Sequence, residues 1–253
     1  MRNIRLVVEY DGTKFAGWQI QGKNQDTKTP RHKDTIQETI EEALRKILQE
    51  KVKVIASGRT DAGVHALGQI ANFKTHSKIP CLNLQKALNT YLPDDIVIKS
   101  AEDAGPDFHS RFNAKSKVYS YSILNRTYPS ALLKNRVYFF SYSLNVKLMQ
   151  EASRALLGRH NFKAFQASGS IVKDSIRTIK RIRVTKKNDI INFEIEADGF
   201  LYNMVRNIVG TLVEIGRGKF PAGSLKKIML SKNRRLAGPT VPACGLYLLK
   251  VKY

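Results

Sequence analysis

The run Ala56-Ser57-Gly58-Arg59-Thr60-Asp61-Ala62-Gly63-Val64-His65-Ala66 places a carboxylate, a permanent cation two residues before it and two glycines in one polar turn. Gly58 and Gly63 allow positive φ and close approach of backbone to a ligand. A guanidinium near a carboxylate favours the ionised form and can orient it through paired hydrogen bonds, so Asp61 is a fixed anion able to act as nucleophile or base. The bland alternative is that an aspartate before a small residue and a glycine only forms a turn, with Arg59 nearby to satisfy it. A metal-dependent phosphodiesterase would use Asp61 and His65 as ligands, but the carboxylate and histidine cluster it needs is missing. His32, His65, His76, His109 and His160 show no ligand spacing among themselves. Cys81 and Cys244 lie far apart and supply neither a disulfide framework nor a four-ligand zinc site. The expectation is no metal and no cofactor.

The turn needs elements on both sides. Val52, Val54 and Ala56 alternate as in a half-buried strand, and Leu67 to Phe73 reads as a second strand, so the loop sits at a strand end. Upstream, Arg5 to Tyr10 reads as a strand closed by Asp11-Gly12, and Phe-Ala-Gly-Trp-Gln follows at 15–19, with Trp18 as a core or interface aromatic. Gln21 to Asp34 has no hydrophobic residue but carries Lys23, Lys28, Arg31 and Lys33, and reads as a loop that either touches RNA backbone or is a solvated linker. Thr35-x-x-Glu38 has the form of a capping box. From there Ile36, Ile40, Leu44, Ile47 and Leu48 predict a helix through about Glu50. Asn83 to Leu92, with Leu84, Leu88 and Tyr91 on one face, predicts a second helix stopped by Pro93, before a short strand at Ile96 to Ile98. This is an α+β half ending near Gly105-Pro106.

In the second half, Tyr119, Tyr121 and Ile123 share one face of an extended segment, where tyrosines most often serve packing. Leu144 to Leu157 predicts a helix ended by Gly158, and a loop with Ser168-Gly169-Ser170 follows. Ser175 to Thr185 and Ile190 to Glu196 predict two strands. The first carries Arg177, Lys180, Arg181 and Arg183, either a solvated face or an RNA contact. Gly199 to Ile215 predicts a long helix with Leu201, Met204, Val205, Ile208, Leu212 and Ile215 buried. Its other face, Asn203, Arg206, Asn207 and Gly210, reads as narrow, polar and partly open. Leu246 to Val251 predicts a last strand.

A chain of 253 residues, 42% of them hydrophobic, can bury one large core or two modest ones. Lys and Arg outnumber Asp and Glu by 43 to 21, a formal +22 that points to a polyanionic partner. No apolar run approaches the ~18 residues of a spanning helix, so a membrane partner is not expected. The start Met1-Arg2-Asn3-Ile4-Arg5 is charged too soon for a signal peptide, which predicts a cytoplasmic protein.

The whole Gly-Arg-Thr-Asp-Ala-Gly-Val-His run resembles the catalytic loop of the TruA-type tRNA pseudouridine synthases, and it maps the family's essential aspartate onto Asp61. Four further stretches resemble the same family: Tyr10-Asp11-Gly12-Thr13-x-Phe15-x-Gly17-Trp18-Gln19; Arg111-Phe112-x-Ala114-Lys115-x-Lys117-x-Tyr119-x-Tyr121; Phe200-Leu201-Tyr202-x-Met204-Val205-Arg206-Asn207-Ile208-Val209-Gly210; and Ala237-Gly238-Pro239-Thr240-x-Pro242-Ala243-x-Gly245-Leu246-Tyr247-Leu248. Together they span Tyr10 to Leu248. Two departures stand out: the Gln21 to Asp34 segment looks longer than the family's connection, and Cys244 replaces a different small or polar residue.

The resemblance implies an α+β fold of two related α/β subdomains, residues 1–105 with the catalytic loop and 106–253 completing a central cleft. The two share a continuous mixed, largely antiparallel sheet with helices on one face. It implies a cofactor-free isomerase that turns uridine of tRNA into pseudouridine in the anticodon stem-loop, at about positions 38 to 40, on a flipped-out base. Asp61 then supplies the anion, attacking carbon or removing a sugar proton. Tyr119 lies against the base, Arg206 partners the aspartate, Arg59 fills the space of the flipped base or holds a phosphate, and Leu246 completes the substrate-binding set. A homodimer is also implied. The rival is a non-catalytic tRNA-binding chaperone, which explains the charge but not an intact nucleophile loop.

Overall fold

The structure, a computed structural model, describes residues 1–20, 34–169 and 174–253. Most of the basic segment Gln21 to Asp34, and Ser170 of the Ser168-Gly169-Ser170 loop, lie outside the described residues. The described residues form two compact units, within Met1–Lys115 with Leu248–Tyr253, and within Ser116–Tyr247. Among them are ten strands and five α-helices, so the chain is α+β.

In the first unit, β1 (Arg2–Tyr10) buries Ile4, Leu6, Val8 and Tyr10 at every second position, as a strand with one core face must. The helix α1 (Ile36–Leu48) lays Ile36, Ile40, Ala43 and Leu44 into that core. The expected capping box is half formed: Thr35 Oγ1 accepts from the Glu38 amide at 3.2 Å. The amides of Ile36 and Gln37, which have no acceptor inside the helix, donate instead to the carbonyls of Gly17 and Trp18 at 3.1 and 3.0 Å. The helix is thereby tied to the Phe-Ala-Gly-Trp stretch.

The strand predicted around Val52 is shorter than its alternation suggests. Only β2 (Ile55–Ala56) pairs, opposite Asn72 and Ala71, because the Val54 amide donates to Glu41 of α1 at 2.8 Å rather than to a strand. The next strand, β3 (His65–Thr75), runs antiparallel to β1 and begins inside the glycine-rich turn. In α2 (Cys81–Tyr91), Leu84 and Leu88 are buried but Tyr91 is exposed, contrary to the predicted face. Leu92, before Pro93, cannot stay helical; it turns extended at ψ 149° and takes the buried place instead. The strand at Ile96 extends to Ala104 as β4, antiparallel to β1; beyond Ile98 none of its residues is buried.

In the second unit, β5 (Ser116–Asn125) sets Tyr119, Tyr121 and Ile123 opposite Ile195, Phe193 and Ile191, on the shared face the sequence predicts. A short strand, β6 (Tyr138–Phe140), pairs parallel to β5, the one parallel pairing among those described, which makes the strands mixed but largely antiparallel. The helix predicted over 144–157 is α3 (Val146–Ser153), capped by Asn145 and continued as a 3-10 turn. Gly158 does not merely end it. It opens β7 (Gly158–Asn161), an antiparallel partner of β8 (Ile176–Lys187), which pairs in turn with β9 (Ile190–Ala197). The long helix α4 (Met204–Gly216) starts five residues later than predicted, because Asn203 adopts a left-handed φ of 56° that no helix interior accepts. A further helix not predicted, α5 (Ser224–Ser231), buries Leu225, Ile228 and Met229. The last strand, β10 (Leu246–Lys252), leads from this unit back into the first.

Candidate active site

Asp61 lies between β2 and β3, and the residues around it grip the backbone of its loop. The Ser57 amide donates to Ile70 O at 2.7 Å, Ser57 Oγ donates to Gln69 Oε1 at 2.7 Å, and Gln69 Nε2 donates to Gly58 O at 2.7 Å. Thr60 is held twice, by its Oγ1 at 2.7 Å from the Tyr10 hydroxyl and by its carbonyl, which accepts from the Trp18 amide at 2.9 Å. After Asp61 the chain reverses: the Val64 amide donates to Asp61 O at 3.1 Å, with Gly63 at φ 76°, the left-handed position such a turn requires.

Two glycines of the Tyr10 to Gln19 stretch allow this contact. A Cβ on Gly12 would stand 2.0 Å from Val64 O, and one on Gly17, itself at φ 99°, 2.7 Å from Thr60 O. Trp18 is buried, with its ring centroid 5.9 Å from that of Tyr10. Burial pushes the Tyr10 phenol above its ordinary range, against the opposing pull of the Thr60 hydrogen bond. His65 closes the cradle, its Nδ1 standing 3.1 Å from both the Gly12 amide and Asp11 Oδ1. So a stretch that reads in sequence as a strand end and one core tryptophan is the seat of the Asp61 loop.

Arg59 points elsewhere. It is exposed and makes no hydrogen bond or ion pair with the described residues, so the carboxylate and the cation two residues before it do not hold one another. This corrects the expectation that Arg59 orients Asp61, and it leaves the guanidinium open to an anionic ligand.

Tyr119, Arg206 and Leu246 belong to the second unit. Tyr119 is buried, and the Phe200 ring meets it edge to face at 5.0 Å and 82°, which fixes the plane of the phenol. Arg206, half-buried in the first turn of α4, donates from Nε to Val241 O at 2.7 Å and from Nη1 to Asn203 Oδ1 at 2.7 Å. The left-handed Asn203 is thus a positioning residue for the guanidinium. Leu246 is buried at the start of β10. It follows Gly245, where a Cβ would meet Ser122 O and Tyr121 Cζ at 2.8 Å. Tyr121 itself is fully buried and donates from its hydroxyl to Pro242 O at 2.7 Å.

Of the polar face expected to be partly open, Asn203 and Arg206 keep some exposure but Asn207 and Gly210 are buried. The segment at 237–241 lies across these two, so close that a Cβ on Gly210 would fall 1.8 Å from Pro239 O. Asn207 is fully buried under this segment. Its Nδ2 donates to Phe165 O at 2.8 Å, and its Oδ1 accepts from Thr240 Oγ1 at 2.6 Å and Arg234 Nη2 at 2.9 Å. Arg234, which the sequence reading passes over, also donates from Nη1 to Gly238 O at 2.8 Å. Its acceptors are all neutral, and burial lowers its pKa from the usual guanidinium value. Nothing local in Asn233-Arg234-Arg235 signals this role.

A family model described as tRNA pseudouridine synthase matches residues 6–113 and 152–253. The chain belongs to the tRNA pseudouridine synthase family. The tRNA pseudouridine synthase A of Acetivibrio thermocellus is 49% identical over 253 residues, all of both chains. The protein of the same name from Thermoanaerobacter sp. and the tRNA pseudouridine synthase A 2 of Clostridium perfringens are each 48% identical over the same full lengths. As a member of this isomerase family the chain acts on tRNA uridine. Asp61, Arg59, Arg206 and Leu246 lie inside the matched residues, and Tyr119 lies in the stretch between the two matched segments. Among the described residues no helix is long and apolar enough to cross a membrane, and no three His, Cys, Asp or Glu side chains group as metal ligands.

Proposed function

We propose that the chain isomerises uridine to pseudouridine in the anticodon stem-loop of tRNA, at about positions 38 to 40, with Asp61 as the catalytic carboxylate acting on a base flipped out of its stack. The observation that carries the assignment of Asp61 is its setting: a carboxylate on a loop whose backbone is seated on Gly12, Gly17 and Trp18 and turned by Gly63. A group that must meet one ribose gains from being fixed before the substrate arrives. The reaction breaks the bond from the sugar to base nitrogen N1, rotates the uracil and joins the sugar to C5. The proton on C5 leaves to solvent and N1 takes one up, so atoms balance without oxidant or reductant.

Asp61 supplies the anion that opens the sugar-to-nitrogen bond. Tyr119, its plane set by Phe200, lies against the extruded uracil; Arg206 partners the carboxylate; Leu246 completes the apolar side of the base site; and Arg59 takes a phosphate or the space the base vacates. Residues 1–105 thus contribute the reacting group and 106–253 the groups that hold the base. The enzyme works in the cytoplasm as a homodimer, so that one tRNA reaches both subunits.

The test is to incubate unmodified tRNA transcripts with the protein and map pseudouridine by carbodiimide-dependent stops in reverse transcription. Pseudouridine confined to the anticodon arm is expected. Pseudouridine only elsewhere overturns the target, and tight binding without any product moves the protein to a non-catalytic RNA-binding role.

A further inference from the structure

The loop after β4 has a buried base and an exposed tip. Ser110 has no exposed surface: its amide donates to Asn72 Oδ1 at 2.9 Å, its hydroxyl donates to Ile55 O at 2.6 Å, and its carbonyl accepts from the Tyr253 hydroxyl at 2.7 Å. Phe108 O accepts from Asn3 Nδ2 at 2.8 Å, and the Phe108 ring packs on Tyr253 at 5.0 Å. The turn is closed by Asn113, whose amide donates to His109 O at 3.0 Å and whose Oδ1 accepts from the His109 amide at 2.6 Å. None of these bonds involves the side chain at the tip.

That side chain is Phe112, 76% exposed. The His109 ring lies 4.2 Å from it, tilted by 32°, and the Arg111 guanidinium lies 5.7 Å from its centroid. The amides of Arg111 and Phe112 donate to His109 Nδ1 at 3.2 and 3.3 Å, which fixes the imidazole behind the phenylalanine. An aromatic ring left in water adds nothing to the core, yet this one stands on a loop ordered in advance and beside a cation. A ligand that matches it is planar and anionic, and the formal charge of +22 already calls for such a partner.

We infer that Phe112, backed by His109 and flanked by Arg111, is a stacking platform for an unpaired base of the bound tRNA, a contact separate from the residues that act on the target uridine. The platform rests on the reading of the chain as a tRNA enzyme. Its work is affinity: Phe112 holds one base by its face while Arg111 meets the neighbouring phosphate.

The experiment compares wild type, Phe112→Ala and Phe112→Trp for equilibrium binding of one unmodified tRNA transcript at fixed salt, with circular dichroism to confirm the fold and sedimentation to follow oligomeric state. The platform predicts about 5- to 100-fold weaker binding by Phe112→Ala. Phe112→Trp, which keeps a ring face, stays within about threefold of wild type. Unchanged affinity in Phe112→Ala, or equal losses in both variants, overturns it. A changed sedimentation coefficient with unchanged tRNA affinity also overturns it and makes this tip a protein contact. Wild type that fails to bind tRNA sinks the tRNA reading itself, whereas wild type that binds beside an unaffected Phe112→Ala sinks the platform alone.

Discussion

The contacts around Asp61 hold the backbone of its loop, through Gly12, Gly17 and the Trp18 amide, whereas in α4 it is side chains that are held, Arg206 by Asn203 and the Val241 carbonyl and the adjacent Asn207 by Thr240 and Arg234. A loop has no internal ladder of hydrogen bonds, so a catalytic group on it must be fixed by contacts to its main chain. A helix carries its own ladder, and what remains to be set is the rotamer of the side chain it presents. The first kind of support fails abruptly, because a backbone atom cannot move out of the way of a new Cβ. The second is shared among several hydrogen bonds and fails by degrees.

Gly12→Ala breaks the comparison at its strongest point. Its Cβ would be 2.0 Å from Val64 O, so the loop must shift, and a loss of at least about 3 kcal/mol is expected in urea unfolding, together with loss of activity. A fully active, stable Gly12→Ala would show that the cradle does not position Asp61.

Asn207→Ala probes the other region. It leaves the Thr240 hydroxyl without its acceptor and the Phe165 carbonyl without its donor, and takes from Arg234 Nη2 one of its two acceptors, for a cost of about 2 to 4 kcal/mol. Thr240→Val loses the hydroxyl's bonds to Asn207 and Arg234 but leaves those two residues bonded to one another and Asn207 to Phe165, so it should cost about 1 kcal/mol, the graded response expected of a shared network. Equal losses from the two variants would contradict the graded picture.

Tyr10→Phe gives a smaller effect of about 1 kcal/mol, from loss of the Thr60 bond. It also changes the response to alkali. Burial raises the Tyr10 phenol above its ordinary value of 10.0, and Tyr121 in the second unit is raised by burial too. Above about pH 10 the unfolded chain loses these protons while the folded chain keeps them, so stability falls as pH rises. Urea midpoints at about pH 9 and pH 11 should show a smaller drop for Tyr10→Phe than for wild type. An equal drop would mean that Tyr10 is not held protonated.

The stripes at Ile36, Ile40 and Leu44, and at Met204, Val205, Ile208 and Leu212, were legible because helical burial is periodic in the chain itself. The Asp61 turn was legible because its residue types crowd into a few positions. What escaped is what depends on distant partners. Arg59 and Asp61 are two residues apart yet do not pair with one another, since closeness in sequence says nothing of side-chain direction in a loop. The burial of Asn207 and Gly210 on the polar face of α4 was not legible because the segment that covers them comes 27 residues after Thr211, at Gly238. The strand β7 is Gly-Arg-His-Asn, without any apolar alternation to announce it, and it forms through its pairing with β8.

The central claim is that the seated carboxylate of Asp61 carries the isomerisation. Release of tritium from tRNA labelled at uridine C5, compared between wild type and Asp61→Asn at matched tRNA occupancy, tests it most directly. The account predicts steady release by wild type and, for a variant with the same shape but no charge, a rate lower by at least about a thousandfold. Undiminished release by Asp61→Asn would contradict it.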